Sequence, residues 1–287
     1  MVRWRLLDDP EPKPGAWNMA LDEVLFRAAE EGRAEGPVLR LYAWSPACLS
    51  IGFHQALDET CDPAFCARAG YDVVRRSTGG KAVLHDDEVT YAVVGRHDLP
   101  PFAGLSLGQT YVLIAGGLRY ALASLGLDVV LSERPSAVTP RGGAPCFLVP
   151  SEGEITVGGR KVVGSAQRRG ARAFLQHGAV PLNLDYRALA LSSGQSEASI
   201  PAYRRAFAGV AALNPSITRE ALRKALVEGF RRTFPEAWDD RPPNEAEASA
   251  AQVLARERFG APWWTQNVPG GNAVGPGRER ARAATRL

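Results

Sequence analysis

The sequence predicts an α/β (α+β) protein in which helices flank a mixed, mostly antiparallel sheet. Short β-rich runs alternate with helical patterns from residue 18 to residue 131. A two-residue connection, Gly158-Gly159, joins two strand-like runs as in an antiparallel hairpin. Two amphipathic patterns at 218–234 and 244–258 then predict helices toward the C-terminus.

Turn and capping residues set the bounds of the elements in the first half of the chain. Asn18 can cap a helix that runs to Gly32, with apolar residues along one face. Asp62-Pro63 opens a short helix that Gly70 closes. The other predicted elements are strands at 38–44, 48–52, 72–76, 82–95 and 128–131 and a helix at 106–126.

The second half contains a loop, a hairpin and a helical end. Residues 133–145 include three prolines and two glycines, which predicts a loop that leads to Cys146. The predicted strands are 154–157 and 160–166, on either side of the glycine pair, and 174–184. We therefore expect a core over 1–212, a C-terminal helical part of the same domain over 213–260, and a flexible tail over 269–287.

Composition and charge exclude several classes of protein. No apolar run reaches the roughly 20 residues that a transmembrane helix needs, and the N-terminus lacks a signal-peptide pattern. The four cysteines have neither metal-ligand spacing nor disulfide density, so we expect reduced thiols in a cytoplasmic protein with no metal site. The net charge of +3 arises from the arginine-rich residues 276–287, so charge gives no reason to expect a nucleic-acid or membrane partner.

Two segments combine cations with glycines in a way that suits a binding site. The first runs Arg75-Arg76-Ser77-Thr78-Gly79-Gly80-Lys81-Ala82-Val83-Leu84-His85-Asp86, and its glycines let the backbone approach a ligand closely. The second runs from Gly159 to Arg169 and on to Gln176-His177-Gly178. Taken alone, each can also be an ordinary hairpin or strand with solvated arginines. The basic stretch 160–172, which contains no acid, can also attract an acidic partner protein.

Cys146, in Pro145-Cys146-Phe147, is the cysteine with the strongest case for chemistry. A cysteine between apolar residues is commonly an inert buried thiol. A nearby cation would change this, because it stabilises the thiolate that attacks an electrophile. Lys161, on the strand after the glycine pair, is the candidate cation.

These motifs resemble those of a known family, the lipoate and biotin protein ligases and octanoyltransferases. Three stand in that family's order: Asn18-Met19-Ala20-Leu21-Asp22-Glu23, residues 75–86 and residues 159–167. The resemblance covers residues 15–260 and implies a lipoate-ligase-like fold in which the 75–80 segment and the Lys161 strand wall a tunnel for an octanoyl chain. Lys161 matches the family's active-site lysine. The implied substrate-binding residues are Arg76, Thr78, Gly79, Gly80, His85, Gly164, Ser165, Ala166, His177 and Gly178.

Within this family, the chain is most similar to the octanoyltransferases of the lipoate-ligase-like type. Lipoate ligases favour a third glycine where Lys81 stands, and they usually carry an accessory domain for which the residues after Ala212 are few. The other octanoyltransferase branch has its nucleophilic cysteine after the histidine-glycine strand, where this chain has none. The type with a cysteine before the lysine hairpin matches Pro145-Cys146-Phe147 and Pro150-Ser151.

The resemblance implies a cofactor-free acyl transfer in which Cys146 and Lys161 are catalytic. An octanoyl group would pass from octanoyl-acyl carrier protein to Cys146. It would then pass to a lysine of a lipoyl-accepting domain, such as glycine cleavage H protein or a dehydrogenase E2 subunit. Two alternatives stay open: an ATP-dependent lipoate protein ligase and a non-catalytic acyl-binding protein. ATP dependence separates the first from the transferase, and intact Cys146 and Lys161 argue against the second.

Overall fold

Three β-sheets and their flanking helices make up the fold in the computed structural model, which describes residues 2–131 and 154–269. The strands are β1 (Arg3–Asp8), β2 (Val38–Tyr42), β3 (Cys48–Ile51), β4 (Asp72–Arg75), β5 (Val83–His85), β6 (Glu88–Arg96), β7 (Val129–Leu131), β8 (Ile155–Val157), β9 (Arg160–Lys161), β10 (Gly164–Arg169), β11 (Ala173–Pro181) and β12 (Ala237–Asp240). The helices are α1 (Gly15–Glu30), α2 (Leu57–Thr60), α3 (Pro63–Ala69), α4 (Leu107–Ser124), α5 (Tyr186–Ser192), α6 (Ile200–Ala206), α7 (Arg219–Thr233), α8 (Glu245–Leu254) and α9 (Pro262–Gln266). The predicted loop 133–145, Cys146 and the tail after Pro269 lie outside the described residues.

The largest sheet contains six strands in the order β10-β11-β6-β2-β1-β12. Its pairing is antiparallel from β10 to β2 and parallel from β2 through β1 to β12. Two three-stranded sheets, β4-β3-β5 and β7-β8-β9, stand beside it, and in them β3 and β4 run parallel while the other pairs are antiparallel. The predicted fold class, a mixed and mostly antiparallel sheet flanked by helices, is confirmed.

Apolar side chains cover both faces of the large sheet. On β6, Tyr91 and Val93 pack into one cluster with residues of α4 and α7, whereas Ala92 and Val94 pack into a second cluster with residues of α1. This division follows from the alternation of side chains along a strand. β11 is buried along its whole length, so β6 and β11 form the centre of the molecule.

The first helix starts earlier than the sequence predicts. α1 begins at Gly15 after Pro14, and Asn18 lies inside it, fully buried. The side-chain amide of Asn18 donates to the carbonyls of Lys13 and Ala43 at 3.2 and 3.0 Å. The prediction that Asn18 caps the helix is wrong, because its side-chain amide donates to the carbonyls of nearby Lys13 and distant Ala43 and caps no N–H of the first turn.

The strands at the end of the large sheet were not predicted. β1 places Trp4 and Leu6 in the core, and β12 pairs with it in parallel, with Trp4 opposite Trp238. A parallel pair this far apart in sequence has no connecting turn whose residues signal it. Long-range packing therefore decides that these short segments become strands.

The strand predicted at 160–166 is divided between two sheets. Arg160–Lys161 form β9 beside β8, and Gly164–Arg169 form β10 at the edge of the large sheet. Val162 and Val163, between them, are buried as the chain passes from one sheet to the other. The hairpin prediction itself is confirmed, since Gly158 and Gly159 have φ angles of 55° and 74°.

Three predicted helices begin next to the first residues of their predicted ranges, and these residues are their caps. The side chains of Ser106, Thr218 and Asn244 each accept a hydrogen bond from a backbone N–H in the first turn of α4, α7 and α8. α8 continues into a π-helical turn at Ala255–Phe259. Within 2–131 and 154–269, no helix is both long enough and apolar enough to cross a membrane.

Glycines allow α4 and α7 to pack closely. A Cβ atom on Gly229 of α7 would lie 2.4 Å from the carbonyl oxygen of Gly117 and 2.7 Å from the backbone nitrogen of Ala121, both on α4. These neighbours are backbone atoms, which cannot move aside as a side chain can. Gly116, also on α4, has only a methyl carbon of Thr233 near its virtual Cβ, at 3.9 Å.

We expect Gly229→Ala to lower the free energy of unfolding by about 1–3 kcal/mol, because the added methyl separates α4 from α7. Gly116→Ala is the matched control, and it should raise stability by about 0.5–1 kcal/mol, since alanine favours a helix interior. Urea unfolding of the two variants and the parent protein measures both changes. Equal midpoints for the two variants would contradict the close-packing interpretation.

Candidate active site

A cavity opens where the large sheet meets the β4-β3-β5 sheet, and most of the predicted site residues line it. The predicted residues Thr78, Gly79 and Gly80 are not in its wall. Within the described part of the chain, the lining residues are Met19, Tyr42, Trp44, Ser50, Arg76, Val83, His85, Thr90, Lys161, Gly164, Ser165, Ala166, His177, Gly178 and Ala179.

The floor of the cavity consists of small residues on neighbouring strands. Gly164 stands opposite Ala179 on β11, which stands opposite Thr90 on β6. Residues opposite one another on adjacent strands share a face of the sheet, and Ala166 follows Gly164 on that face. Because Gly164, Ala166 and Ala179 carry at most a methyl group, they leave an apolar trough over the sheet.

Gly178 allows β10 and β11 to approach each other closely. A Cβ atom at this position would lie 2.5 Å from the carbonyl oxygen of Gly164 and 2.7 Å from Cε1 of Tyr91. The Tyr91 hydroxyl lies 2.7 Å from Oγ of Ser165 and accepts a hydrogen bond from Gln176 at 3.1 Å. Burial raises the pKa of Tyr91 to about 12, so its hydroxyl stays protonated at neutral pH.

Lys161 enters the cavity from the short strand β9. Its Nζ donates to Oε1 of Glu154 at 2.5 Å, and the exposed fractions of the two side chains are only 7% and 5%. The backbone of Lys161 forms a bridge with Phe207, and its carbonyl accepts from the N–H of Ala208 at 3.1 Å. Lys161 is thus fixed at both its backbone and its charged end.

Arg76 organises the turn that follows β4. Its guanidinium donates to the carbonyls of Ser50, Gly79 and Lys81 at 3.0, 2.7 and 2.8 Å. Its Nε also donates to Oγ1 of Thr78 at 3.2 Å. The Thr78-Gly79-Gly80 turn, predicted to bind substrate, thus contacts Arg76 of the cavity wall through Thr78 and Gly79.

The preceding arginine, Arg75, connects helix α9 to strand β4. It is fully buried, and it donates to the carbonyls of Trp264 and Thr265 in α9 at 3.0 and 2.7 Å. It also donates to three carbonyls after β3, those of Gly52, Phe53 and Gln55. Trp264 returns a hydrogen bond from Nε1 to the carbonyl of Arg75 at 2.9 Å. We call this set the Arg75–Trp264 clamp.

His177 is held between a carboxylate and a hydroxyl. Its Nδ1 lies 3.0 Å from Oδ2 of Asp22, and its Nε2 lies 2.7 Å from Oγ1 of Thr78. Although burial opposes the charge of Asp22, Arg40 at 2.7 Å and His177 keep the pKa of this carboxyl below its usual value. An ionised carboxylate only accepts hydrogen bonds, so Nδ1 carries the proton and Nε2 accepts from Thr78. Burial lowers the pKa of His177, and Asp22 only partly opposes this.

His85, on β5, has a similar arrangement. Nδ1 lies 2.7 Å from Oε1 of Glu88 and Nε2 lies 2.8 Å from Oγ of Ser50. The indole of Trp44 stacks on the imidazole with ring centroids 4.1 Å apart. The indole nitrogen donates to Thr90 at 2.7 Å, and Thr90 donates to the same oxygen of Glu88 at 2.5 Å. Both ring nitrogens of His177 and of His85 thus have hydrogen-bond partners, which fix the two rings in the cavity wall.

The basic stretch 160–172 is largely paired within the protein. Arg168 forms an ion pair with Glu23 at 3.0 Å and lies over the ring of Phe26. Arg169 donates to the Thr110 hydroxyl at 2.6 Å. These contacts weaken the expectation that the stretch as a whole attracts an acidic partner, because much of its charge has acceptors within the fold.

Cys48 and Cys61 are poor candidates for a nucleophile, and Cys146 lies outside the described residues. Cys48, Cys61 and Cys66 are free and buried. Burial raises the pKa of Cys48 well above its usual value. The pKa of Cys61 is also raised, by its contact with the Cys66 sulfur at 3.9 Å and by burial. Neither thiol forms a thiolate readily at neutral pH.

Sequence reasoning missed the site roles of Asp22, Arg40 and Glu154. Asp22 lies on the buried face of α1, and Arg40 lies within an apolar strand. A charged residue inside an apolar pattern could therefore have pointed to both of them. A different feature could have pointed to Glu154. The hairpin register pairs Thr156 with Lys161, and Glu154 is two residues from Thr156, on the same face.

Sequence comparisons agree on one family. The model of the lipoyl protein ligase A/B catalytic domain matches residues 14–231. An octanoyltransferase LipM of Carboxydothermus hydrogenoformans is 36% identical over 272 residues, which are 92% of this chain and 98% of that protein. An octanoyltransferase LipM of Moorella thermoacetica is 36% identical over 267 residues, covering 91% and 97% of the two chains. The family resemblance predicted from the three motifs is confirmed.

Solved structures show the same fold. A bipartite lipoate protein ligase from Thermoplasma acidophilum superposes with a TM-score of 0.78 at 22% identity, covering 93% of this chain and 98% of that chain. A lipoate-protein ligase A bound with ATP has a TM-score of 0.75 at 24% identity and covers 93% and 99%. At these identities the likeness establishes the fold alone.

We expect the free energy of unfolding to decrease as the pH falls from about 7.5 to about 5.5, in part through His177. Because burial lowers the pKa of His177, the unfolded chain binds a proton at a higher pH than the folded chain. The contribution of His177 to the free energy of unfolding is complete above about pH 6.5 and decreases as the pH falls below that value. The contribution of Asp22 is lost only below about pH 3.8, outside this range.

His177→Gln should flatten this pH dependence, since the amide does not titrate, while lowering stability by about 1–3 kcal/mol through poorer hydrogen bonds. His54→Gln, at an exposed position, is the matched control and should leave the slope unchanged. Urea unfolding at several pH values gives both slopes. An unchanged slope in His177→Gln would show that His177 does not contribute.

Proposed function

Because this chain belongs to the family of lipoyl protein ligase A/B catalytic domains, we propose that it is an octanoyltransferase that moves an octanoyl group from an acyl carrier protein to a lipoyl-accepting domain. Cys146 is the proposed nucleophile and Lys161 its catalytic partner. The similarity to octanoyltransferases over nearly the whole of both chains supports this enzyme class. The reaction belongs to lipoate biosynthesis, and we propose the cytoplasm as its location.

The observation that carries the proposal is the position of Lys161. Its ammonium is buried and faces a cavity whose floor is formed by glycine and alanine residues. Such a trough accepts a straight acyl chain, and each buried methylene contributes about 0.8 kcal/mol. A cation at the edge of the trough can stabilise the negative charges that form on sulfur and oxygen during acyl transfer.

In the first half-reaction, the thiolate of Cys146 attacks the carbonyl carbon of the donor thioester. A carbon–sulfur bond forms on Cys146, the bond to the carrier sulfur breaks, and the carrier leaves as a thiol after taking up a proton. One thioester replaces another, so no ATP is required. The ammonium of Lys161 favours the thiolate over the thiol.

In the second half-reaction, the amine of the acceptor lysine attacks the acyl-enzyme. An amide bond forms, the bond to Cys146 breaks, and the amine proton passes to the sulfur. Lys161 is suited to relay this proton, a role worth about 10² to 10⁴ in rate. We propose backbone N–H groups at Gly164 or Ser165 as donors to the oxyanion.

We propose octanoyl-acyl carrier protein as the donor and glycine cleavage H protein or a dehydrogenase E2 subunit as the acceptor. His85, His177 and Arg76 are proposed to act on substrate by shaping the cavity, and Gly164, Ser165, Ala166 and Gly178 by leaving room for it. Their packing and hydrogen bonds support these roles. Thr78, Gly79 and Gly80 are proposed to act through Arg76 and His177.

We expect the purified protein to transfer octanoyl from octanoyl-acyl carrier protein to an apo lipoyl domain without ATP or magnesium, because the thioester already supplies the activation. A mass increase of the lipoyl domain measures the transfer. The same domain with its acceptor lysine changed to arginine is the control and should gain no mass. Activity that requires free octanoate, ATP and magnesium would favour the ligase alternative.

We also expect Cys146 alone among the four cysteines to become acylated when the donor is supplied without an acceptor. Cys48 and Cys61 are buried, with raised pKa values, and therefore form little thiolate. Cys66 is only 1% exposed and is not among the residues that line the cavity. Peptide mapping after digestion locates the octanoyl group. Cys146→Ala should abolish both labelling and turnover, whereas Cys48→Ala should keep both. Full activity of Cys146→Ala would remove the proposed mechanism.

A further inference from the structure

Two sulfur atoms approach each other at the start of helix α3. Sγ of Cys61 lies 3.9 Å from Sγ of Cys66, and both thiols are free. The two residues are only 5% and 1% exposed. Because the sulfurs of a disulfide are about 2.05 Å apart, a relative movement of roughly 2 Å would join them.

The backbone around the two cysteines holds their side chains together. Cys61 precedes Asp62, whose side chain caps α3 by accepting from the N–H of Phe65 at 2.8 Å. Cys66 lies within α3, and its N–H donates to the carbonyl of Asp62 at 3.0 Å. The carbonyl of Ser192, the last residue of α5, accepts from the N–H of Asp62 at 2.9 Å and from the Cys66 thiol at 3.9 Å. The helix cap and α5 therefore keep the two sulfurs in contact.

The two thiols differ in acidity because they contact each other. The Cys61 thiol donates to the sulfur of Cys66, and this hydrogen bond lowers the pKa of Cys66 although burial acts in the opposite direction. The same contact, together with burial, raises the pKa of Cys61. A thiolate is the form of cysteine that attacks an oxidant. The contact thus favours Cys66 as the attacking sulfur and Cys61 as the thiol that attacks second.

We propose that Cys61 and Cys66 form a modification site that hydrogen peroxide converts into an intramolecular disulfide. The Cys66 thiolate attacks one oxygen of the peroxide, the O–O bond breaks, and the hydroxide that leaves takes up a proton to become water. Cys66 is then a sulfenic acid. The Cys61 thiol attacks its sulfur, the S–O bond breaks, and a second water leaves. Two thiols are oxidised, and one peroxide is reduced to two waters.

The position of the two cysteines suits a small oxidant. Neighbouring residues such as Glu59 and Ala64 are exposed, so the segment runs along the surface with its sulfurs directly beneath. Hydrogen peroxide is close to water in size, whereas an octanoyl group on a carrier is much larger. Neither Cys61 nor Cys66 is among the residues that line the cavity. Oxidation here is therefore a separate reaction from acyl transfer, and the inference does not depend on the proposed function.

Peptide mapping after peroxide treatment tests the proposal. Trypsin releases residues 41–68 as one peptide, which contains Cys48, Cys61 and Cys66. The folded protein is treated with hydrogen peroxide, and catalase then removes the excess. The protein is unfolded, alkylated with N-ethylmaleimide and digested. We expect this peptide to carry a maleimide group on all its cysteines without peroxide. After peroxide it should carry one only on Cys48 and be lighter by two hydrogens at the other two cysteines.

Matched variants identify the reacting sulfurs. Cys48→Ser should still lose the maleimide groups of Cys61 and Cys66. Cys61→Ser should form no disulfide and leave Cys66 as a sulfenic acid, which dimedone traps when it is added during unfolding. If Cys61→Ser does not fold by circular dichroism, Cys61→Ala repeats the test.

The same peptide shows which results would overturn the proposal. Full maleimide labelling of the folded parent protein after peroxide would mean that the contact does not lead to a bond. Two copies of the peptide joined by a disulfide would show a bond between molecules instead of one within the chain. Loss of the label from Cys48 together with either cysteine would contradict the assigned pair.

Discussion

The rest of the site depends on the hydrogen bonds and the ion pair formed by the buried carboxylate of Asp22. It belongs to helix α1 and accepts hydrogen bonds from Arg40 and Tyr42 on β2 and from His177 on β11. An isolated carboxylate at this depth would cost several kcal/mol, so the helix and the two strands are stable only when they supply these donors together. The relative position of three elements is thus set by one charged group.

From Asp22 the polar contacts continue around the cavity. His177 and Thr78 connect it to Arg76, and Arg76 connects through Ser50 to the second histidine, His85. A network whose members all have partners is rigid, because moving one group leaves another unsatisfied. The cavity therefore combines polar walls that are engaged among themselves with a floor that offers only apolar contact, and this combination suits a hydrocarbon chain with one reactive end.

The sequence predicted the features that depend on local chemistry. The Gly158-Gly159 hairpin and the starts of the helices at Ser106, Thr218 and Asn244 follow from the conformations of individual residues, and most of the predicted binding residues line one cavity. Local rules could not predict which buried polar side chains bind to which distant backbone groups. Asn18 resembles a helix cap but reaches a loop 25 positions away, at Ala43. Arg75 and Arg76 look like one basic pair, yet they serve different carbonyl groups on different elements.

The Arg75–Trp264 clamp has a consequence for how the protein is made. Every described residue of the cavity wall precedes position 180, but the strand that carries Arg75 and Arg76 is tied to α9, near the end of the described chain. A ribosome releases the N-terminal part of a chain first, and that part begins to fold during synthesis. Here Arg75, next to the wall residue Arg76, emerges early and at first lacks two of its carbonyl acceptors. The Arg75–Trp264 clamp can therefore form only after Trp264 and Thr265 have left the ribosome.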